Sequence, residues 1–174
     1  MPSYTDITKL PAFDDDSECW HAVIETPKNS HHKFDYDPKH GCFELKKTLP
    51  EGMTFPRDFG FIPSTLGDDG YPVDVLVVLD FPAALGTLVK VRLIGAIQAE
   101  QKEKGADWIR NDRLIAVSGY SRTLADIESL DDLRPEQLDP LIEFFKQYDK
   151  LDGKGFRPVG NCDAKKQQHL FGKE

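Results

Sequence analysis

Residues 55–80 read FPRDFGFIPSTLGDDGYPVDVLVVLD and place Asp68, Asp69 and Asp74 at the mouth of a short apolar run, 75–79. That run is rich in Val and bounded by turn residues, which predicts a buried strand. Loop oxygens held on a rigid element suit a hard cation such as Mg²⁺. Gly, Asp and Pro are also the ordinary composition of a turn, so the loop alone supports both readings. Polar residues in or beside other strand-like segments enlarge the set. They are the carboxylates Glu25, Asp35, Glu100 and Asp112, the cations Lys33, Lys47 and Arg113, and the phenol Tyr148. Taken singly, each suits the solvent face of a half-buried strand, because charged side chains are mostly exposed. Taken together they describe a barrel mouth whose carboxylates collect divalent metals and whose cations hold a polyanion. Phosphoryl transfer needs that mixture, since the protein mainly positions groups and neutralises developing charge.

The elements that must carry these residues are mostly strands. Segment 20–26 (WHAVIET) is apolar, β-branched and stopped by Pro27 and Asn29. Segments 33–36 and 42–47 read as the two halves of a hairpin around the turn at 38–41. Segment 88–100 is long and contains Gly95, which predicts a strand bent at a bulge or barrel corner. Segment 108–117 is the expected returning strand. Residues 124–130 read as a short helix. Residues 139–151 read as a longer one, with Asp139 as N-cap, Pro140 at the first helical position and Gly153 beyond the end. Leu141, Ile142, Phe145 and Tyr148 fall on one stripe of it. Strands followed by late helices predict an α+β, mainly β fold: a small β-barrel with one or two helices packed outside.

The 174 residues fit a single domain, with 1–18 as an irregular N-terminal arm. Acids outnumber bases by 30 to 22, which argues against a nucleic-acid or anionic-membrane surface. Local cations can still hold a small phosphorylated substrate. Cys19, Cys42 and Cys162 are odd in number and widely spaced, fitting neither a disulfide framework nor a zinc motif. With no apolar run approaching a membrane span and no charged-then-apolar leader, an intracellular protein is expected.

The order Val23-Ile24-Glu25-Thr26-Pro27, Lys33-Phe34-Asp35, Asp69-Gly70-x-Pro72-Val73-Asp74-Val75-Leu76-Val77 and Phe144-Phe145-x-x-Tyr148 resembles the family I soluble inorganic pyrophosphatases. The resemblance runs from about residue 20 to 157. It implies a five-stranded, OB-like β-barrel flanked by helices. It also implies Mg²⁺-dependent hydrolysis of pyrophosphate to two phosphates, with several Mg²⁺ per subunit, a cytoplasmic location, and a homo-oligomer that is a hexamer in bacterial members. By that resemblance Asp69 and Asp74 bind the metals that activate water, Glu25 and Asp35 help hold those arriving with substrate, and Lys33, Lys47 and Tyr148 contact phosphate. Tyr71 stands where the family motif has its middle aspartate, the residue usually assigned as base. Asn111 stands at a metal-bridging aspartate, Arg113 at a phosphate-binding lysine, Phe59 at a tyrosine and Asp149 at a lysine. Asp112 supplies a ligand only if the strand register moves by one residue, which would flip its side chain to the other face. Glu100 or Glu103 is the expected remaining acidic ligand. Three readings follow: a pyrophosphatase, weakened by the loss of its base; a paralogue that binds a phosphorylated ligand without turnover; and a hydrolase of another phosphoanhydride, with Tyr71 stacked on an organic moiety.

Overall fold

A computed structural model describes residues 5–167. A 3-10 turn at Ile7–Lys9 precedes strands β1 (Phe13–Asp14), β2 (Cys19–Thr26), β3 (His32–Asp37), β4 (Cys42–Thr48), β5 (Asp58–Ile62) and β6 (Val73–Val78). The chain continues through β7 (Leu88–Lys102), β8 (Ile109–Arg110), β9 (Arg113–Ser118) and a 3-10 turn at Leu130–Asp132. It ends in helix α1 (Pro135–Leu151), β10 (Gly155–Cys162) and the short α2 (Ala164–Gln167).

β2 pairs with β5, β5 with β6, β6 with β9, β9 with β7, and β7 returns to β2, closing a ring of five strands. Within that ring β6–β9 is the parallel pair. β10 and β8 extend the long strand β7, β1 lies on β2, and β3–β4 form a separate hairpin. Closure removes most exposed sheet edges.

Both faces of β6 and β9 are buried, which is why 75–79 reads as a continuous apolar run rather than an alternating one. The period of two is still at work. Val75, Val77, Leu114 and Ala116 join Ile24, Ile62 and Val91 in one cluster, within the ring. Leu76, Val78, Ile115 and Val117 pack in the other cluster, against Leu141, Phe144 and Phe145 of α1. Each fully buried aliphatic or aromatic side chain contributes roughly 1.5–3 kcal/mol. The helix is thereby fixed on the outside of the barrel, and Tyr148, three to four residues beyond Phe144 and Phe145, is carried to the barrel mouth.

The predicted mainly β barrel with an outer helix is the observed architecture, and β7 shifts register between Leu93 and Gly95, where the bend was expected. Four local expectations are corrected. Phe55, Phe59 and Phe61 around Pro56 and Gly60 read as aromatics on a tight turn, but Phe59–Phe61 lie within strand β5. Segment 108–117 is interrupted at Asn111 and Asp112, so β8 pairs with β7 while β9 joins β6 and β7. Residues 124–130 form bends leading into the 3-10 turn rather than a helix. Helix α1 begins at Pro135, not Asp139, with the Gln137 side chain accepting from Arg134 N–H at 3.0 Å and Pro140 inside it. Two prolines satisfy the first-position rule here, and the earlier one starts the helix. The N-terminal arm is also less irregular than expected, since Phe13 pairs with Trp20 across β1–β2. Among the described residues no helix is long and apolar enough to cross a membrane.

Candidate active site

Between the open end of the ring, the β3–β4 hairpin and α1 lies a cavity of about 550 Å³. β2 delivers Glu25 to it, β3 delivers Lys33 and Asp35, the loop into β6 delivers Asp69 and Tyr71, and β6 itself delivers Asp74; Arg113 opens β9, and Tyr148 comes from α1. Eight of the residues singled out in the sequence therefore meet on one surface. Lys33 and Asp35 fall two apart on β3 and so share a face.

The acidic loop is held by its own backbone. Gly67 N–H donates to Tyr71 C=O at 2.7 Å, Gly70 N–H to Gly67 C=O at 3.0 Å, and Tyr71 N–H to Asp69 Oδ1 at 3.0 Å. Gly70 has φ +84°, the left-handed conformation that glycine adopts without a Cβ penalty. Val73 N–H donates to Thr65 Oγ1 at 2.9 Å, anchoring the loop where β6 begins. Tyr71 itself projects outward and is 71% exposed.

The carboxylates are electrostatically crowded. Glu25, buried, accepts from Tyr36 N–H at 2.9 Å and faces the Lys33 ammonium at 3.9 Å. Burial pushes it up to about 7, against the pull of Lys33 and that N–H, with Asp35 and Asp74 adding to the rise. Burial likewise pushes Asp74 up to about 6, opposed by Arg113 and Lys33 and reinforced by Asp69 and Asp35. Lys33, buried over the Phe59 ring at 4.7 Å, pairs with Asp35 as well as Glu25. Burial, then Asp35, Asp152 and Asp149, raises the Tyr148 phenol, which stays a protonated donor.

This donor set fits a divalent cation. Hard carboxylate oxygens converge here from four separate elements, Asp35 adds to the rise of both Glu25 and Asp74 and Asp69 to that of Asp74, and a bound cation would relieve the repulsion. Among the described residues no three His, Cys, Asp or Glu side chains already form a closed ligand cluster. Glu25, Asp35, Asp69 and Asp74 are the groups that would close around an ion.

Three expected site residues lie elsewhere. Glu100 is bound to Arg157 Nε at 2.5 Å across the β7–β10 ladder, whose register places the two residues opposite each other. Asp112 accepts from Ala99 N–H at 3.1 Å and from Arg110 Nε at 2.5 Å, and it lines a small neighbouring recess with Asp69, Asp74 and Asn111. Asn111 is the residue that lines the main cavity, donating to Gln101 Oε1 at 2.7 Å. The register therefore favours Asn111 over Asp112. Lys47 lies over the Tyr148 ring at 3.7 Å and donates to Asp152 Oδ2 at 2.8 Å, held at the rim rather than in the lining.

Gln101, Asp152, Lys154 and Asp149 line the cavity without having been picked out as site residues. Asp149 carried a signal: an acid directly after Tyr148, four residues beyond Phe145, sits on the buried flank of the helix.

Comparison with known proteins agrees with this geometry. Residues 22–170 match the family described as Pyrophosphatase, inorganic pyrophosphatase. The chain is 36% identical over 148 residues to an inorganic pyrophosphatase of Thermus thermophilus, covering 85% of this chain and 82% of that protein. It is 35% identical over 169 residues to one of Rickettsia prowazekii, covering 95% of each. A crystal structure of inorganic pyrophosphatase from Thermus thermophilus superposes with a TM-score of 0.85 at 31% identity, covering 96% of this chain and 95% of that one. By its barrel, its cavity and these likenesses, the chain belongs to the inorganic pyrophosphatase family, hydrolases that split pyrophosphate into two phosphates.

Proposed function

We propose that the chain carries out its family's reaction at this cavity with Mg²⁺ as the metal. The observation that carries the reading is the convergence of Glu25, Asp35, Asp69 and Asp74 with Lys33, Arg113 and Tyr148 around about 550 Å³. Bound by those carboxylates, Mg²⁺ supplies Lewis acidity and neutralises the substrate's charge. The chain's own groups do the rest. Lys33 and Arg113 are fixed cations for phosphoryl oxygens, and Tyr148 is a phenol donor beside them. Packed aromatic rings, Phe55, Phe144 and Tyr148 with centroids 5.0–5.7 Å apart, keep that donor in place. Water attacking phosphorus must also lose a proton, and at position 71 this chain offers a phenol where a carboxylate would accept it.

The exposed Tyr71 favours a second reading, a paralogue that binds pyrophosphate or a related phosphorylated ligand with little turnover, or that cleaves another phosphoanhydride. Phosphate release from pyrophosphate distinguishes these. Release in Mg²⁺, abolished by a chelator and restored by added Mg²⁺, is the expected result. Binding without release would establish the second reading. A cytoplasmic location and a homo-oligomer, hexameric as in bacterial relatives, belong to the same proposal. They are supported by the free thiols of Cys19 and Cys42 and by exposed apolar side chains such as Leu66, Phe81 and Tyr120 that assembly would cover.

The carboxylate shifts give a test independent of turnover. A carboxyl whose native pKa lies above its unfolded value keeps a proton that the unfolded chain has shed. Its contribution to stability is complete below the ordinary carboxylate range and is lost as pH rises through about 6 for Asp74 and about 7 for Glu25. Metal binding requires the ionised forms and relieves their repulsion. The rise in melting temperature caused by Mg²⁺ is therefore expected to be small near about pH 5.5 and to grow up to about pH 8. A metal-induced rise that ignores pH would remove Glu25 and Asp74 from the metal site.

A further inference from the structure

One wall of the cavity is built from a buried acid and a buried base that do not satisfy each other. Asp149 of α1 is 2% exposed and Arg113 of β9 is 4% exposed, and both line the cavity. Asp149 Oδ2 and Arg113 Nε are buried and make no hydrogen bond, and no ion pair joins the two residues. Arg113 is otherwise held: its Nη1 donates to Asn111 C=O at 2.6 Å, its Nε lies 3.9 Å from Asp74 Oδ2, and its guanidinium rests 4.8 Å over the Phe145 ring. Orphaned polar atoms cost stability, so a pair kept on a cavity wall points to a ligand that completes them. The terminal carboxylate torsion is soft, and a turn about it presents either oxygen to the cavity.

The chemistry of that ligand follows from the two groups. An arginine N–H can only donate, and an ionised carboxylate can only accept. The ligand must present an acceptor and a donor side by side. On a tetrahedral phosphate these are a P–O⁻ oxygen and a P–OH group. We propose that Arg113 and Asp149 form a subsite for a protonated phosphate, with Asp149 and one phosphate oxygen sharing a single proton.

This rests on the pyrophosphatase reading and refines it: the species preferred there is a hydrogenphosphate end of substrate or product, not the fully ionised anion. Burial holds the Asp149 carboxyl above the ordinary range, with Asp152 adding to the rise, against the pull of Arg113, then Lys154 and Lys47, towards ionisation. Tyr148, beside it on α1, is a further protonated neighbour. Whichever partner holds the proton, the complex contains one.

Phosphate and sulfate separate the idea from simple anion binding. At a pH where phosphate is the hydrogenphosphate dianion, the two share shape and charge and differ by one proton. Binding of inorganic phosphate and of sulfate, measured by calorimetry without substrate, is expected to favour phosphate in the wild-type chain by roughly tenfold or more, the weight of a hydrogen bond to a charged group. In the near-isosteric Asp149→Asn, whose amide can donate or accept, the ratio is expected to fall towards one. In Asp149→Lys sulfate binding is expected to strengthen. Equal wild-type affinities, no binding of either anion, or a ratio unchanged in both variants would each overturn the proposal. Because no turnover is read, a chain that fails to hydrolyse pyrophosphate but still discriminates through Asp149 would leave this subsite standing.

Discussion

Replacing Tyr71 by aspartate is expected to raise phosphate release from pyrophosphate in Mg²⁺ by roughly 10²- to 10⁴-fold, the usual contribution of a positioned general base. The loop is prepared for the change. Its shape comes from backbone bonds, from Gly70 and from Asp69, which accepts from the Tyr71 N–H rather than from the ring. The phenol is exposed, so removing it opens no cavity in the core. A carboxylate at this position would enter between Asp69 and Asp74 as a fourth acid of the stretch 68–74, ionised at neutral pH where a phenol is not. Tyr71→Phe serves as the control: it removes the hydroxyl without adding a base and is expected to leave the rate within a factor of about two. An aspartate variant no faster than the wild type would mean that the remaining carboxylates already accept the proton, and that Tyr71 stands in no one's place.

How much of this could be read from the residues depended on whether a local pattern had a rival. The strand read at 75–79, observed as Val73–Val78, was legible because a Val-rich run with turns on both sides has few alternatives. The candidate site was legible where the family resemblance named the positions, as for Glu25, Asp35, Asp69 and Asp74, which line one cavity. It was not legible where direction depends on long-range pairing. Glu100 has the right charge in the right strand, but β10 places Arg157 opposite it, and no local signal announces β10. Asp112 and Asn111 differ by one residue, and the break between β8 and β9 decides which of them reaches the cavity. Lys47 lies outside the lining for another reason: its long flexible side chain follows the Tyr148 ring and pairs with Asp152. The turn-like letters Phe59-Gly60-Phe61 misled because glycine in a strand and glycine in a turn look alike until a neighbour comes close.

That neighbour sets the second large expectation, that Gly60→Ala destabilises the fold by about 3 kcal/mol or more and lowers the melting temperature by roughly 10 °C. Gly60 lies at the middle of β5, opposite Ile24 of β2 and Val75 of β6. A Cβ built there falls 1.9 Å from the Val23 carbonyl oxygen and 2.8 Å from its carbon. Both clashing atoms are backbone, so no rotamer change relieves them. β2 and β5 have to part, and with them go the ladder bonds that close the barrel ring. The damage reaches the site directly. Phe59 and Phe61, on either side of Gly60, line the cavity, and Phe59 lies beneath the Lys33 ammonium. β2 ends with Glu25 and Thr26, whose hydroxyl takes part in hydrogen bonds to Phe34 of the neighbouring hairpin. A shift of the strand pair would therefore separate Glu25 from Lys33 and weaken Mg²⁺ binding together with the fold. Thermal denaturation with and without Mg²⁺ reads both effects at once. A Gly60→Ala protein melting within about 2 °C of wild type would show that the two strands do not approach as closely as described.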